Sequence, residues 1–335
     1  MRLLQVGIGG FGYSWLFHVK NSPDFEPCGY VDIREEAINR AVAEGLAERH
    51  LCFSDLSRAI AETDPEVVLV VVPPEAHRQV CEKALGAGCH VLCEKPIAQT
   101  MDDAQAMIAA AQRAGKILMI SQNYRFRAHA RAIGRLLRER ALGEVGYVTI
   151  EFHKAPQFPG SYRLKMRQPL LIDMSVHHFD LVRYFLADDV RAVRCHSFRP
   201  AWSWFDHDPC VMAQLHMQSG VPVSYAAGWV SPGSETTWDG RWRIQCQRGA
   251  IIWDEGRVLL APAEGEVQDH TPDEQTVQRL GSGQPAVLAE LAAAIREGRQ
   301  PETSGEAVLN SWAAVLACVM SAEQSRAVAV DEVMP

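Results

Sequence analysis

Short apolar runs alternate with amphipathic stretches through residues 1–121. The run at 67–72 is apolar and rich in β-branched side chains, which is typical of a strand buried on both faces. An alanine-rich stretch at 101–114 follows Thr100, a favourable N-cap, and predicts a helix. Repeated strand–helix alternation indicates parallel strands with helices on both faces of the sheet. The pattern therefore predicts a doubly wound α/β domain over residues 1–121.

The pattern changes in residues 122–335. Strand-like runs separated by turn residues follow one another closely, which indicates a mostly antiparallel sheet. The predicted strands are 144–153, 191–198, 210–217, 221–230, 241–246 and 250–253, and the predicted helices are 128–140, 170–186, 285–297 and 305–326. We expect a C-terminal α+β domain with a large open sheet.

The predicted helix at 170–186 is apolar except for one stripe. Asp173, His177, Asp180 and Tyr184 are spaced as i, i+4, i+7 and i+11, which places them on one side of a helix. The stripe must either face a cleft or be paired internally. A carboxylate beside an imidazole fixes its tautomer and raises its basicity, so Asp173 and His177 suit either a catalytic pair or a structural one.

Three glycines follow the first predicted strand in the pattern Gly7-x-Gly9-x-x-Gly12. In a dinucleotide-binding turn the first glycine permits the tight turn, the second lets the phosphates approach the backbone, and the third lets helix and strand pack closely. The next strand ends at Asp32, twenty residues after Gly12. An acid there would hold the adenosine ribose hydroxyls, or would simply cap the helix that begins near Arg34.

Composition and charge narrow the class of protein. A chain of 335 residues suggests two domains, and a net charge of −8 without long like-charge runs argues against nucleic-acid and membrane partners. The nine cysteines form no C-x-x-C pair, the twelve histidines form no metal-binding motif, and the N-terminus has no signal-peptide layout. We expect a cytoplasmic protein with reduced thiols and no metal.

Several motifs together resemble the glucose-fructose oxidoreductase / inositol dehydrogenase (Gfo/Idh/MocA) family over essentially the whole chain. The motifs are Gly7-x-Gly9-x-x-Gly12, Asp32, Pro73-Pro74-Glu75-Ala76-His77, Glu94-Lys95-Pro96, Asn123-Tyr124-Arg125-Phe126 and Asp173-x-x-x-His177-x-x-Asp180. The resemblance implies a Rossmann domain, a second domain whose open sheet forms homodimers or homotetramers, and NAD(P)-dependent redox chemistry on sugars, cyclitols or related polyols.

The resemblance also implies roles for particular residues. Lys95 would bind the reacting hydroxyl, His177 would take its proton as hydride leaves for the nicotinamide, and Asp173 would orient His177 or relay its proton. The Lys95–Pro96 bond is a candidate for a cis peptide. The predicted cofactor contacts are Gly7, Gly9, Gly10, Phe11, Gly12, Asp32, Ile33, Arg34, Pro73, Pro74, His77, Glu94 and Lys95.

Substrate identity stays open at this stage. Arg167-Gln168-Pro169-Leu170 replaces a stretch that is often glycine-rich in the family, and Ser175 stands where glycine is common. Cations in the 154–168 loop suit an acidic or phosphorylated sugar, or are simply solvated. Trp229, Trp238 and Trp242 suit sugar stacking or sheet-core packing. The predicted substrate contacts are Lys95, Tyr124, Arg125, Arg163, Lys165, Asp173, His177 and Trp238.

The cofactor and the reaction each have alternatives. Asp32 would repel a 2′-phosphate, so NAD is favoured over NADP, although Arg34 lies two residues away and would soften that choice. The main hypothesis is an NAD-dependent polyol dehydrogenase. An NAD-dependent glycosidase on the same scaffold, and a dinucleotide-sensing regulator without catalysis, are the competing hypotheses.

Overall fold

The computed structural model describes residues 1–281 and 283–334. Backbone contacts divide the chain into a first unit, Met1–Asn123 with Gly281–Leu309, and a second unit, Tyr124–Leu280 with Asn310–Pro335. The first unit therefore includes a segment from the C-terminal part of the sequence. The domain boundary between residues 121 and 122 stays a prediction.

The helices and strands follow the predicted alternation. The helices are α1 Gly12–Lys20, α2 Glu35–Ala43, α3 Leu56–Thr63, α4 Pro74–Gly86, α5 Met101–Ala114, α6 Ala128–Arg138, α7 Val176–Leu186, α8 Glu274–Leu280, α9 Gln284–Glu297 and α10 Gly305–Gln324. The strands are β1 Arg2–Val6, β2 Glu26–Val31, β3 Cys52–Phe53, β4 Val67–Val70, β5 His90–Cys93, β6 Leu118–Ile120, β7 Val145–His153, β8 Val190–Phe198, β9 Cys210–Met217, β10 Pro222–Gly228, β11 Arg241–Cys246, β12 Gly249–Asp254, β13 Arg257–Pro262, β14 Gln268–Asp269 and β15 Val328–Ala329.

A six-stranded parallel sheet forms the centre of the first unit, in the order β3-β2-β1-β4-β5-β6. The order reverses between β1 and β4, as in doubly wound nucleotide-binding sheets. All four residues of β4 are fully buried, because helices cover both faces. Thr100 caps α5 by accepting the Asp103 N–H, as expected. The predicted Rossmann arrangement is confirmed.

The second unit contains a nine-stranded sheet in the order β14-β13-β12-β11-β7-β10-β9-β8-β15. Neighbouring strands are antiparallel except β7 and β10, which are parallel. Helix α7 packs on one face, where Phe185 lies 5.4 Å from Trp242 and Phe179 lies 5.3 Å from Tyr225, measured between ring centroids. The opposite face carries exposed side chains, including Tyr147 and Met212. The predicted large, mostly antiparallel sheet is confirmed.

The predicted continuous helix at 170–186 is wrong in its first part. Leu170–Ser175 forms a π-helix, and the α-helix begins only at Val176. Pro169 precedes the wider turn, and the Ser175 hydroxyl donates to the carbonyl of Leu170, five residues back. That spacing is the i to i+5 spacing of a π-helix, and short π-helical turns are frequent at functional sites.

One described helix, α10, is long and apolar enough to cross a membrane, and 56% of its most apolar window is buried inside the protein, as in the core helix of a globular protein. Helix α8 and the short strands β14 and β15 escaped the sequence analysis, because segments of two to seven residues show too little periodicity.

Candidate active site

The glycine-rich turn lies at the carboxyl end of β1, and backbone atoms pack tightly against two of its glycines. Gly7 has a φ of +85°, and a Cβ on it would overlap the carbonyl oxygen of Val71. A Cβ on Gly12 would overlap the carbonyl oxygen of Gly7. Gly10, by contrast, has a φ of +52° and open space where its side chain would be. The turn therefore presents bare main chain at its tip, which fits a phosphate-bearing ligand.

A buried glutamine, missed by the sequence analysis, fixes this turn. The Gln5 amide donates to the carbonyl oxygens of Gly7, at 3.1 Å, and Gly12, at 2.7 Å. Gln5 is fully buried within β1. The signal was a polar side chain inside an apolar strand, since a buried polar group has to be hydrogen-bonded.

Asp32 also supports the turn. Its carboxylate accepts the N–H groups of Ile8 at 3.0 Å, Gly9 at 3.1 Å and Arg34 at 2.9 Å. The N-cap of α2 is Arg34, so the helix-cap alternative for Asp32 is wrong. The Arg34 side chain is mostly exposed, with its Nε 3.5 Å from Asp32 and its guanidinium over Gly9. Asp32 therefore places a negative charge directly at the turn.

Exposed apolar side chains flank this turn. Ile33, next to Asp32, is 88% exposed and Phe11 is 55% exposed. Large apolar side chains rimmed by polar groups mark ligand or partner sites. Their position beside Gly10 and Asp32 fits the adenosine part of a dinucleotide. The predicted contacts Gly7 to Gly12, Asp32, Ile33 and Arg34 thus come together on one unit.

The next strand connection is held by a histidine. Pro73 and Pro74 form the N-terminus of α4, and Pro74 occupies a position where its missing N–H costs nothing. The His77 ring is fully buried, with Nδ1 3.1 Å from the Pro96 carbonyl oxygen and Nε2 2.9 Å from the Val72 carbonyl oxygen. His77 thereby ties the start of α4 to the segment that follows Lys95.

Glu94 anchors Lys95 to the helix that follows the glycines. The Trp15 indole of α1 donates to one carboxylate oxygen at 2.8 Å, and the Lys95 N–H donates to the other at 3.0 Å. Burial raises the pKa of Glu94 above its usual value. The Lys95–Pro96 bond, which the sequence offered as a candidate for a cis peptide, is cis. Glu94, a predicted cofactor contact, therefore braces the Lys95 backbone, and its contact with the cofactor stays a prediction.

His177 lies in the second unit, one residue after α7 begins. It is 6% exposed, and its ring stacks on Tyr124 with centroids 4.2 Å apart and planes 15° apart. Asp173, on the π-helix, accepts from Arg163 Nε at 2.6 Å. Arg163 belongs to the 3-10 turn Tyr162–Lys165, so the loop before the helix reaches the same carboxylate that the sequence assigned to His177.

The other half of the polar stripe is paired internally. Arg125 Nε and Nη2 donate to the two Asp180 oxygens at 2.8 and 2.5 Å, and Ser311 donates to the same carboxylate. The Tyr184 hydroxyl accepts from Arg131 at 3.1 Å. Arg125, a predicted substrate contact, therefore forms a buried ion pair with Asp180. This pairing answers the question that the stripe left open: Asp180 and Tyr184 are structural.

The three candidate tryptophans separate by exposure. Trp229 and Trp242 are buried in the sheet core, whereas Trp238 is 40% exposed. Lys154 Nζ lies 5.3 Å from the Trp238 ring centroid and forms an ion pair with Glu235 at 2.5 Å. Lys165 is exposed. Of the three rings, Trp238 has the surface to stack on a sugar.

The remaining candidate groups are potential metal ligands and cysteine thiols. Residues 1–281 and 283–334 contain no group of three His, Cys, Asp or Glu side chains placed to hold a metal ion. All nine cysteines are free thiols. Burial raises the pKa of Cys93 and Cys318 well above that of a free thiol, which disfavours the reactive thiolate.

The steric fit of Gly12 makes a direct prediction. Gly12→Ala places a Cβ against the Gly7 carbonyl, a backbone atom that moves only with the turn. We expect NADH affinity to fall by at least ~10-fold, because a dinucleotide on this turn would bind its pyrophosphate through the backbone. Fluorescence titration with NADH measures it. Gly86→Ala, where a Cβ meets open space, is the control and should bind like the wild type.

Both parts of the chain match models of known protein families. The profile for the oxidoreductase family with an NAD-binding Rossmann fold matches residues 1–122, and the profile for the GFO/IDH/MocA C-terminal domain matches residues 130–252. The chain is 27% identical to D-apiose dehydrogenase of Paraburkholderia graminis, over 96% of this chain and 88% of that protein. It is 27% identical to 1,5-anhydro-D-fructose reductase of Ensifer adhaerens, over 83% of this chain and 84% of that protein.

A solved structure shows the same fold over nearly the whole length. The oxidoreductase from Agrobacterium radiobacter, crystallised with NAD⁺, L-tartaric acid and magnesium, superposes with a TM-score of 0.89 at 21% identity and covers 99% of both chains.

Proposed function

Because this chain belongs to the Gfo/Idh/MocA family of NAD-binding oxidoreductases, we propose that it transfers a hydride between NAD and a hydroxyl-bearing carbon of a sugar, cyclitol or related polyol. The observation that carries the proposal is that one chain contains two features. One is the bare glycine turn with the Asp32 carboxylate behind it, and the other is an Asp173–His177 motif at a π-helix junction. The relatives named for D-apiose and 1,5-anhydro-D-fructose support the substrate class.

The proposed catalytic set is Lys95, Asp173 and His177. Bound NAD supplies the hydride acceptor for oxidation and the donor for the reverse reaction. The Lys95 ammonium binds the reacting hydroxyl oxygen and stabilises negative charge that develops there. An imidazole nitrogen of His177 takes the hydroxyl proton, so that the carbon loses a hydride and the oxygen loses a proton as the carbonyl forms.

Asp173 acts in this scheme through its charge. Its ion pair with Arg163 favours the ionised carboxylate. An ionised carboxylate stabilises the imidazolium that His177 becomes and holds the ring's tautomer, as the aspartate of a catalytic triad does. We therefore assign Asp173 to orientation and charge stabilisation of His177 and favour this over a proton relay.

The direct test is turnover with a panel of polyols. Purified protein is incubated with NAD and a set of sugars, cyclitols and sugar alcohols, and nicotinamide reduction is followed by absorbance. We expect reduction with at least one of them. NAD binding without turnover of any compound would support a sensing regulator, and release of free sugar from a glycoside without net reduction would support a glycosidase.

Cofactor preference follows from the charge at Asp32. We expect kcat/KM to favour NAD over NADP by at least ~10-fold, because a like-charge contact with the 2′-phosphate costs several kcal/mol. Asp32→Asn should narrow this ratio. Asp55→Asn, which changes an exposed N-cap carboxylate of the same unit, should leave it unchanged. A wild-type preference for NADP would contradict the assignment and would point to the Arg34 guanidinium as the phosphate ligand.

We also propose a cytoplasmic homodimer or homotetramer, with the exposed face of the nine-stranded sheet as the contact. Tyr147 and Met212 on that face are 43% and 59% exposed, and exposed apolar side chains of this size favour a partner surface. Light scattering coupled to size exclusion gives the oligomeric state, and a monomer at micromolar concentration would contradict it.

A further inference from the structure

We propose that Tyr124 is a positioning residue, whose ring is the platform that holds the His177 imidazole while the Arg127–Asp239 ion pair fixes that ring from its other side. The inference rests on the proposed role of His177 as the base. It gives Tyr124 a task other than the substrate contact that the sequence suggested.

The geometry is a four-member stack. The His177 and Tyr124 rings are nearly parallel, at 15°, with centroids 4.2 Å apart. The Arg127 guanidinium carbon lies over the Tyr124 ring, 3.4 Å from its centroid. Two groups this close to one ring would overlap if they shared a face, so Arg127 must cover the face opposite His177. Asp239 then pairs with Arg127 at the far end.

The stack joins three separate segments of the second unit. Tyr124 lies in the 3-10 turn Asn123–Phe126, Arg127 is the N-cap of α6, and His177 lies in the first turn of α7. Asp239 precedes β11, and its carbonyl accepts from the Trp242 indole at 2.7 Å. Tyr124 and Arg127 share one continuous segment, and His177 and Asp239 lie on two others, so a shift of either ring requires more than one segment to move.

The ring of Tyr124, more than its hydroxyl, carries this role. Tyr124 is 7% exposed, and burial raises its pKa to about 12, so the phenol stays neutral near pH 7. The face-to-face contact uses the π surface of the imidazole and leaves its nitrogens, which hydrogen-bond in the ring plane, to their own partners. The platform therefore sets the plane of His177 without competing for its nitrogens.

A base held in the wrong plane loses catalytic power without losing affinity. Misplacement by about 1 Å costs on the order of 10²-fold in rate. Removing the platform should therefore act on kcat and should change substrate KM and NADH affinity little. A substrate contact through the Tyr124 hydroxyl would have the opposite signature, since it would raise KM.

Two variants at one position separate these roles. Tyr124→Phe keeps the ring and should keep kcat within about 3-fold, whereas Tyr124→Leu removes the ring and should lower kcat about 10- to 100-fold at unchanged KM. A 10-fold rise in KM for Tyr124→Phe would overturn the inference in favour of a substrate contact. Wild-type kcat in a folded Tyr124→Leu would overturn it as well.

A second measurement does not depend on turnover. Stacked on an aromatic ring, the His177 imidazole protons should show a ring-current shift in NMR spectra, which Tyr124→Phe retains and Tyr124→Leu abolishes. If the wild type oxidises no polyol, this shift still decides the stack, so failure of the proposed function and failure of the stack are distinguishable. Absence of the shift in an active wild type overturns the stack alone.

A third variant covers the case in which Tyr124→Leu does not fold. Arg127→Lys keeps the charge beside Asp239 but loses the planar guanidinium that covers the ring. We expect a fall in kcat of about 3- to 10-fold with unchanged KM, because the platform is held less firmly. Wild-type kcat in Arg127→Lys would contradict the part of the inference that concerns Arg127 and Asp239.

Discussion

Replacing His177 with alanine is expected to lower kcat by at least ~10²-fold, because general-base catalysis contributes about 10²–10⁴ to such reactions. No neighbouring group takes over easily. The adjacent His178 is fully buried, its Nδ1 lies 2.9 Å from the Tyr225 hydroxyl, and burial lowers its pKa to about 3. Tyr124, which stacks on His177, holds its own proton too tightly to serve as the base. Initial rates at saturating polyol and NAD measure the effect.

The control for His177→Ala has to separate a loss of the chemical step from a loss of cofactor binding. His177 belongs to the second unit and the glycine turn to the first, so NADH affinity should stay within about 2-fold of the wild type if the cofactor binds through the turn. His50→Ala removes a histidine that is largely exposed in the first unit, and it should leave kcat unchanged. Near-normal turnover in His177→Ala would assign the proton to another group and would end the proposed mechanism.

The sequence predicted the six-stranded parallel sheet well for a physical reason. Parallel strands buried on both faces, such as β4, appear in the sequence as continuous apolar runs. Glycines that close steric contact requires appear as a fixed spacing. Gly7 and Gly12 pack against backbone carbonyl groups, so a larger side chain at either position would clash with the backbone. The Glu94-Lys95-Pro96 motif marked the Lys95–Pro96 bond only as a candidate for a cis peptide, and the structure shows that it is cis.

The features that the sequence did not predict depend on contacts that only the folded chain makes. A π-helix of six residues has nearly the same polar pattern as an α-helix, so Leu170–Ser175 could not be distinguished by periodicity. The partners Trp15 and Glu94 lie 79 residues apart, and Arg125 and Asp180 lie 55 apart. The stripe showed that Asp180 needed a partner or a cleft, but only the fold shows which of these it has.

Loss of the Asp180 carboxylate should be the most destabilising single change near the site. Asp180→Ala is expected to lower the free energy of unfolding by about 3–5 kcal/mol, because it leaves the Arg125 guanidinium buried without the carboxylate that compensates its charge. The side chains of this pair are 9% and 1% exposed. Urea unfolding followed by circular dichroism measures it. Arg58→Ala, at an ion pair with side chains 71% and 49% exposed, should cost under about 1 kcal/mol.

A double variant distinguishes burial of charge from loss of packing. Arg125→Met with Asp180→Leu removes both charges and keeps apolar volume, and it should recover most of the stability that Asp180→Ala loses. Equal destabilisation in the single and the double variant would contradict the charge argument.

Asp180 lies three residues after His177 on α7, and Arg125 follows Tyr124 in the 3-10 turn. The ion pair therefore holds together the two elements that carry the stacked rings, so the single variant should also lower kcat, and the double variant should restore it.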